Sequence, residues 1–79
     1  MTEVKNSQEA VLIAKNYLEK IRGMTLFGFN LNEVVIDSDR KLWIVKCEFY
    51  PNAFISVLAS YEIEIDKVTG DVSSVKRVK

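Results

Sequence analysis

The sequence predicts an α+β fold: one N-terminal helix packed on a four-stranded antiparallel meander sheet, in a single domain spanning residues 1–79. Three observations predict it. Ala10, Ile13, Ala14, Tyr17, Leu18 and Ile21 recur at helical spacing. Apolar and polar residues alternate in two later runs, 41–50 and 55–66. The strands are joined by short connections, which force neighbouring strands to lie antiparallel.

The helix is expected over 7–22. Asn6 or Ser7 can cap it; with Asn6 as the cap, Glu9 falls at the reciprocal capping-box position, and Gly23 stops the helix just after the basic Lys20 and Arg22. Residues 1–6 are polar and expected to fray. The connector 23–29 is apolar but broken by glycine, and Phe27 and Phe29 are expected to turn inward over the end of the sheet. A first strand is expected at about 30–37. Its alternation is poor, which points to a bulge or an edge position. Ser38-Asp39-Arg40 reads as a turn.

The second strand, 41–50, sets Trp43, Val45, Cys47 and Phe49 on one face. Pro51 breaks it. In the third strand, 55–66, Ile55, Val57, Ala59, Tyr61, Ile63 and Ile65 share the dry face, while Ser60, Glu62, Glu64 and Asp66 share the wet one. Asp66-Lys67-Val68-Thr69-Gly70-Asp71 reads as a hairpin turn in which Gly70 can take a positive φ. A fourth strand, 72–78, ends in Lys76 and Arg77, charges that protect an edge.

Composition narrows the function. Lys plus Arg equals Asp plus Glu, 11 each. Zero net charge argues against nucleic acid as the partner, since phosphate binding needs a cationic excess. It argues equally against a charge-driven membrane binder, and no apolar run is long enough to insert in a membrane. Zero net charge also favours association. A core this small would be steadied by a homodimer or another protein that buries more apolar area. The polar start Met1-Thr2-Glu3 and the lone Cys47 suggest a cytoplasmic address.

Histidine is absent. With one cysteine, His- or Cys-based zinc sites and His-assisted nucleophiles have no residues to build them. The three glycines are too scattered for a phosphate loop. Glu62, Glu64 and Asp66, about 7 Å apart in steps of two residues, could form a calcium site or an acid–base pair, but a solvated sheet face with Lys46 as a cross-strand partner is the plainer account. Asp37-Ser38-Asp39 lacks the later ligands of a calcium loop and reads as a turn. Trp43 reads as core, and Cys47 as a small hydrophobe. No cofactor and no catalytic residue is expected. The candidate partner surface is Leu42, Ile44, Phe54 and Leu58, off the core register, with the basic Lys76 and Arg77.

One stretch is distinctive. Leu42-Trp43-Ile44-Val45-Lys46-Cys47-Glu48-Phe49, then Pro51, then Val57-Leu58-Ala59-Ser60-Tyr61-Glu62-Ile63-Glu64-Ile65-Asp66 and the turn Thr69-Gly70-Asp71-Val72, resembles the gas vesicle protein O family. The resemblance covers about half the chain, and Lys76-Arg77 matches part of the basic end of that family. It implies a non-enzymatic accessory role in vesicle assembly, with other gas vesicle proteins as partners. The pattern from Tyr61 to Val72 is also similar to PepSY repeats, which pair a helix with antiparallel strands in a cystatin-like shape. That similarity implies a regulator or inhibitor of a peptidase. A small-molecule enzyme on a cone-shaped helix-and-sheet fold is a third class, disfavoured by the missing histidine and by the small cavity so short a chain can enclose.

Overall fold

In the computed structural model, which describes residues 3–51 and 57–78, the side chain of Asn6 accepts the amide N–H of Glu9 at 2.9 Å and opens helix α1, Ser7–Asn16. The Glu9 carboxylate returns a bond one residue further out than a capping box requires, accepting the N–H of Lys5 at 2.9 Å. The helix continues as a π-helical turn, Tyr17–Ile21, and ends at Gly23 with φ +66. Arg22 N–H bonds to Tyr17 C=O, and Met24 N–H bonds to Leu18 C=O.

Ala10, Ala14 and Leu18 are fully buried against the sheet. Ile21 is not, being 69% exposed although it shares their apolar spacing. In a regular helix Ile21 would fall within about 20° of Ala14. The wider turn, which closes i→i+5 bonds, winds less per residue and carries Ile21 off the stripe.

Strands β1 (Phe27–Asp37), β2 (Leu42–Tyr50), β3 (Ala59–Asp66) and β4 (Val72–Arg77) form an antiparallel meander in the order β1-β2-β3-β4. The expected fold class is therefore the observed one. The helix lies on one face. Val45, Cys47, Phe49, Ala59, Tyr61, Ile63 and Ile65 bury toward it, with Val34 and Trp43 packed alongside. The Phe49 ring stacks between Phe29 (6.4 Å between centroids) and Tyr61 (5.1 Å). Lys15 lies 4.9 Å from the Phe29 centroid, over the ring.

Several boundaries differ from expectation, each for a physical reason. Val4 is not frayed: it is 1% exposed, and its N–H bonds to Lys67 C=O at 2.8 Å. One apolar side chain and one backbone bond hold the segment across the end of the sheet. The first strand begins at Phe27, not 30, and Phe27 points away from the helix, opposite Tyr50. Gly28 at φ +60 and two register shifts reset the alternation between Phe27 and Glu33. The second strand starts one residue late because Lys41 takes φ 56 in the turn. The third begins at Ala59 rather than 55, and Val57 is 58% exposed instead of buried. The register that pairs Phe49 with Ala59 puts Val57 opposite Pro51, which has no N–H to give. Ile55 lies outside the described residues. The fourth strand stops at Arg77, although Val78 N–H still reaches Ser60 C=O at 2.8 Å.

Candidate functional site: the uncovered face of the sheet

Among the described residues the single helix covers one side of the sheet and no element covers the other. Directly opposed residues of an antiparallel pair share a face, so the register assigns this second face row by row. Its central row is Glu33, Lys46, Glu62 and Lys76, one residue from each strand. The charges alternate in sign across the sheet. Lys46 Nζ stands 3.6 Å from the Glu33 carboxylate, with both side chains about half exposed.

The next row toward the β1–β2 turn is Val35, Ile44, Glu64 and Ser74, followed by Asp37, Leu42 and Asp66. Toward the other end come Asn30, Glu48 and Ser60, then Phe27 and Tyr50. Asn30 donates to Glu48 at 3.2 Å.

Most of the acidic side chains on this face are engaged locally. Arg40 donates to Asp37 through Nε at 2.9 Å and to Glu64 at 3.4 Å. The Arg40 side chain beside it, helped by the Arg40 backbone N–H, holds the Asp37 carboxyl below its ordinary range. Asp66 accepts the N–H groups of Val68 at 2.8 Å and Thr69 at 3.0 Å. Those bonds, the Thr69 one first, lower its pKa. Glu62, Glu64 and Asp66 thus have three different tasks: a charge row, an arginine clasp and a turn cap. Among the described residues no cluster of His, Cys, Asp or Glu has metal-holding geometry. Cys47 is fully buried, and desolvation pushes its thiol up to about 11.

The candidate surface divides. Leu42 and Ile44 are two residues apart on the uncovered face, both half-buried. Lys76 shares that face, two strands away. Arg77 does not: it pairs with Tyr61 and so takes the helix-side register. Leu58, 37% exposed, precedes β3 and stands at the opposite end from Leu42, beyond Lys46 and Glu48. Phe54 lies outside the described residues. The structure therefore does not gather Leu42, Ile44 and Leu58 into one apolar patch. It offers a charged row with apolar residues at either end. The row was half visible in sequence through the Lys46–Glu62 pair. Adding Glu33 and Lys76 needed the registers across the β1 bulge and the β3–β4 hairpin.

On the helix side, an open groove of about 570 Å³ runs between Ile13, Tyr17, Lys20 and Ile21 and the hairpin residues Gly70, Asp71 and Val72. Its lining is mostly apolar. Among the described residues no buried side-chain polar atom lacks a hydrogen-bond partner. No helix among them is long and apolar enough to cross a membrane. No protein-family model, curated protein or solved structure matches this chain.

Proposed function

We propose that this domain is a non-enzymatic protein-interaction module with an accessory role in assembling a larger protein structure, the role implied by its resemblance to the gas vesicle protein O family. The observation that carries the reading is the uncovered sheet face. Among the described residues the sheet has a layer on one side only, and its other face presents a broad surface of alternating charge flanked by Val35, Leu42, Ile44 and Tyr50. Such surfaces recognise other surfaces by complementary charge and shape. The reactive-group inventory supports the same reading: there is no histidine, and the only thiol is held protonated in the core.

The residues behind the resemblance lie on this surface and beneath it. Glu62 and Lys46 belong to the charge row, while Tyr61, Ile63 and Ile65 pack under the helix. The test is affinity capture from the native host, with the partners identified by mass spectrometry. Co-purification of vesicle shell proteins is the expected result. Recovery of a peptidase instead would move the domain to the PepSY-type regulatory role, and recovery of no specific partner would sink the module reading.

A further inference from the structure

We infer that the first occupant of the uncovered face is a second copy of this chain, packed face to face about a two-fold axis that runs parallel to the strands between β2 and β3. The inference rests on the reading of the domain as an interaction module and names its partner. The argument is one of charge and symmetry. A rotation about such an axis turns the face over and reverses the strand order while keeping each row in place. Glu33 of one copy then stands over Lys76 of the other, and Lys46 over Glu62. A row reading minus, plus, minus, plus is its own complement under that operation. The other simple face-to-face arrangement has its axis across the strands through this row. It sets Glu33 on Glu33, Lys46 on Lys46, Glu62 on Glu62 and Lys76 on Lys76, and like charges facing each other are strongly disfavoured. The row therefore chooses between two geometries that burial alone would leave equal.

The neighbouring rows are mixed under the same operation. Glu48 comes to stand over Ser60, a hydrogen-bonding match. At the end of the face Tyr50 comes over the position beside it, which Leu58 occupies in sequence just before β3. At the other end Val35 comes over Ser74, Ile44 over Glu64 and Leu42 over Asp66, so these apolar side chains meet polar ones. Exposed ion pairs contribute little each, so the charges serve mainly to set orientation and the pair is a weak one. Zero net charge removes the long-range repulsion that would oppose self-association. The product is a helix–sheet–sheet–helix sandwich with sheets about 10 Å apart, helices outermost, and the groove beside Tyr17 still open to other molecules.

The contact is modest. Four strands about 4.8 Å apart and about 23 Å long give a footprint near 440 Å² on each copy, roughly 900 Å² in all, the range of weak specific complexes. A Kd on the order of 10–100 μM is expected for such a contact.

The experiment uses the purified full chain in sedimentation velocity. Wild type is expected to pass from monomer to dimer over that concentration range, with the dimer weakening as salt rises and screens the row. Two charge-swapped chains make the decisive comparison. Lys46→Glu with Lys76→Glu gives an all-acidic row, and Glu33→Lys with Glu62→Lys gives an all-basic one. Each is expected to stay monomeric alone, and the two mixed are expected to form a heterodimer at least as tight as the wild-type homodimer. A wild type that remains monomeric at 1 mM, swapped chains that dimerise alone, or a mixture that fails to associate would each overturn the inference. Because a like-charged row strains the fold of one chain, a dilution series of amide NMR spectra on wild type gives a second measurement. Shifts should concentrate on Val35, Ile44 and Glu62 and spare Leu12 on the helix; shifts confined to the helix side would overturn it. Sedimentation reads the pure chain, whereas capture from the host reads foreign partners, so failure of this inference and failure of the module reading give different results.

Discussion

The indole N–H of Trp43 donates to the carbonyl oxygen of Val4 at 3.2 Å, tying the segment before the helix to the second strand, 39 residues on. The same Val4 donates its own N–H to Lys67 C=O in the β3–β4 turn. One residue thus closes the end of the fold: its side chain fills the core, its backbone meets two strands' worth of structure, and α1 begins just after it. Trp43 satisfies its polar handle through this contact while the ring packs against the core on the helix side, with Ile65 as its cross-strand neighbour.

Trp43→Ala should therefore destabilise by about 3 kcal/mol, the low end for aromatic truncation because the ring is only half-buried. Val4→Ala should cost about 2 kcal/mol, two methyl-sized groups plus the cavity they leave. The two losses should be less than additive, since the residues share a contact. Urea melts of both single variants and the double variant check this. A Val4→Ala curve that overlays wild type would mean the N-terminal segment is detached in solution.

What was legible in the sequence follows from how locally each feature is encoded. Val45, Cys47 and Phe49 alternate cleanly because β2 is paired on both sides and cannot slip without exposing its whole dry face. Tyr61, Ile63 and Ile65 are readable for the same reason. Phe27 was misread because Gly28 and the bulges of β1 change parity between it and Phe29, and an edge strand tolerates that. Val57 was misread because alternation continues in the sequence after the partner strand has run out at Pro51. Val4 stood alone among polar neighbours, and a lone apolar residue has no periodicity to announce it. The two family resemblances draw on Tyr61, Ile65, Asp66 and Gly70. In the structure these are two core residues, a turn cap and a positive-φ glycine at φ +80, all parts of one hairpin. They specify the β3–β4 hairpin first, and speak of function only through the face it carries.

Asp66 gives the hairpin a pH signature. Its folded pKa lies below the ordinary 3.8, because the N–H groups of Thr69 and Val68 favour the charged carboxylate. The native state then binds fewer protons than the unfolded chain, so the contribution is full above the ordinary value and is lost as pH falls through the folded one. Asp37, lowered by its bond to Arg40, acts in the same direction. The melting temperature should drop on acidification below about pH 4, and Asp66→Asn should flatten that drop while keeping an acceptor for the turn. An acid limb unchanged in Asp66→Asn would show that other carboxylates set it.

Cys47 predicts the opposite limb. Burial raises its thiol from 9.0 to about 11. A group whose folded pKa is raised favours the native state below its unfolded value, and that contribution fades as pH climbs from 9.0 toward 11. At pH 8 only about 0.1% of the folded thiol is thiolate, so iodoacetamide should label it slowly until denaturant opens the core. Labelling rates measured with and without urea test this, and fast native labelling would place the thiol at the surface. Cys47→Ala should be less sensitive to alkali than wild type.

Leu58 is the last residue before β3 and is 37% exposed, as is Tyr50 at the neighbouring end of β2. A charge placed there meets water in the free chain, so Leu58→Glu should leave the melting temperature within a few degrees of wild type. In the face-to-face pair the same carboxylate would be pressed against the Tyr50 ring of the other copy, where an unpaired charge is costly. The variant should therefore dimerise at least tenfold more weakly while melting normally as a monomer. Sedimentation and circular dichroism on the same sample separate the two effects. Unchanged association would remove Leu58 from the partner surface, whereas a melt lowered along with the loss of dimer would assign it to the fold instead.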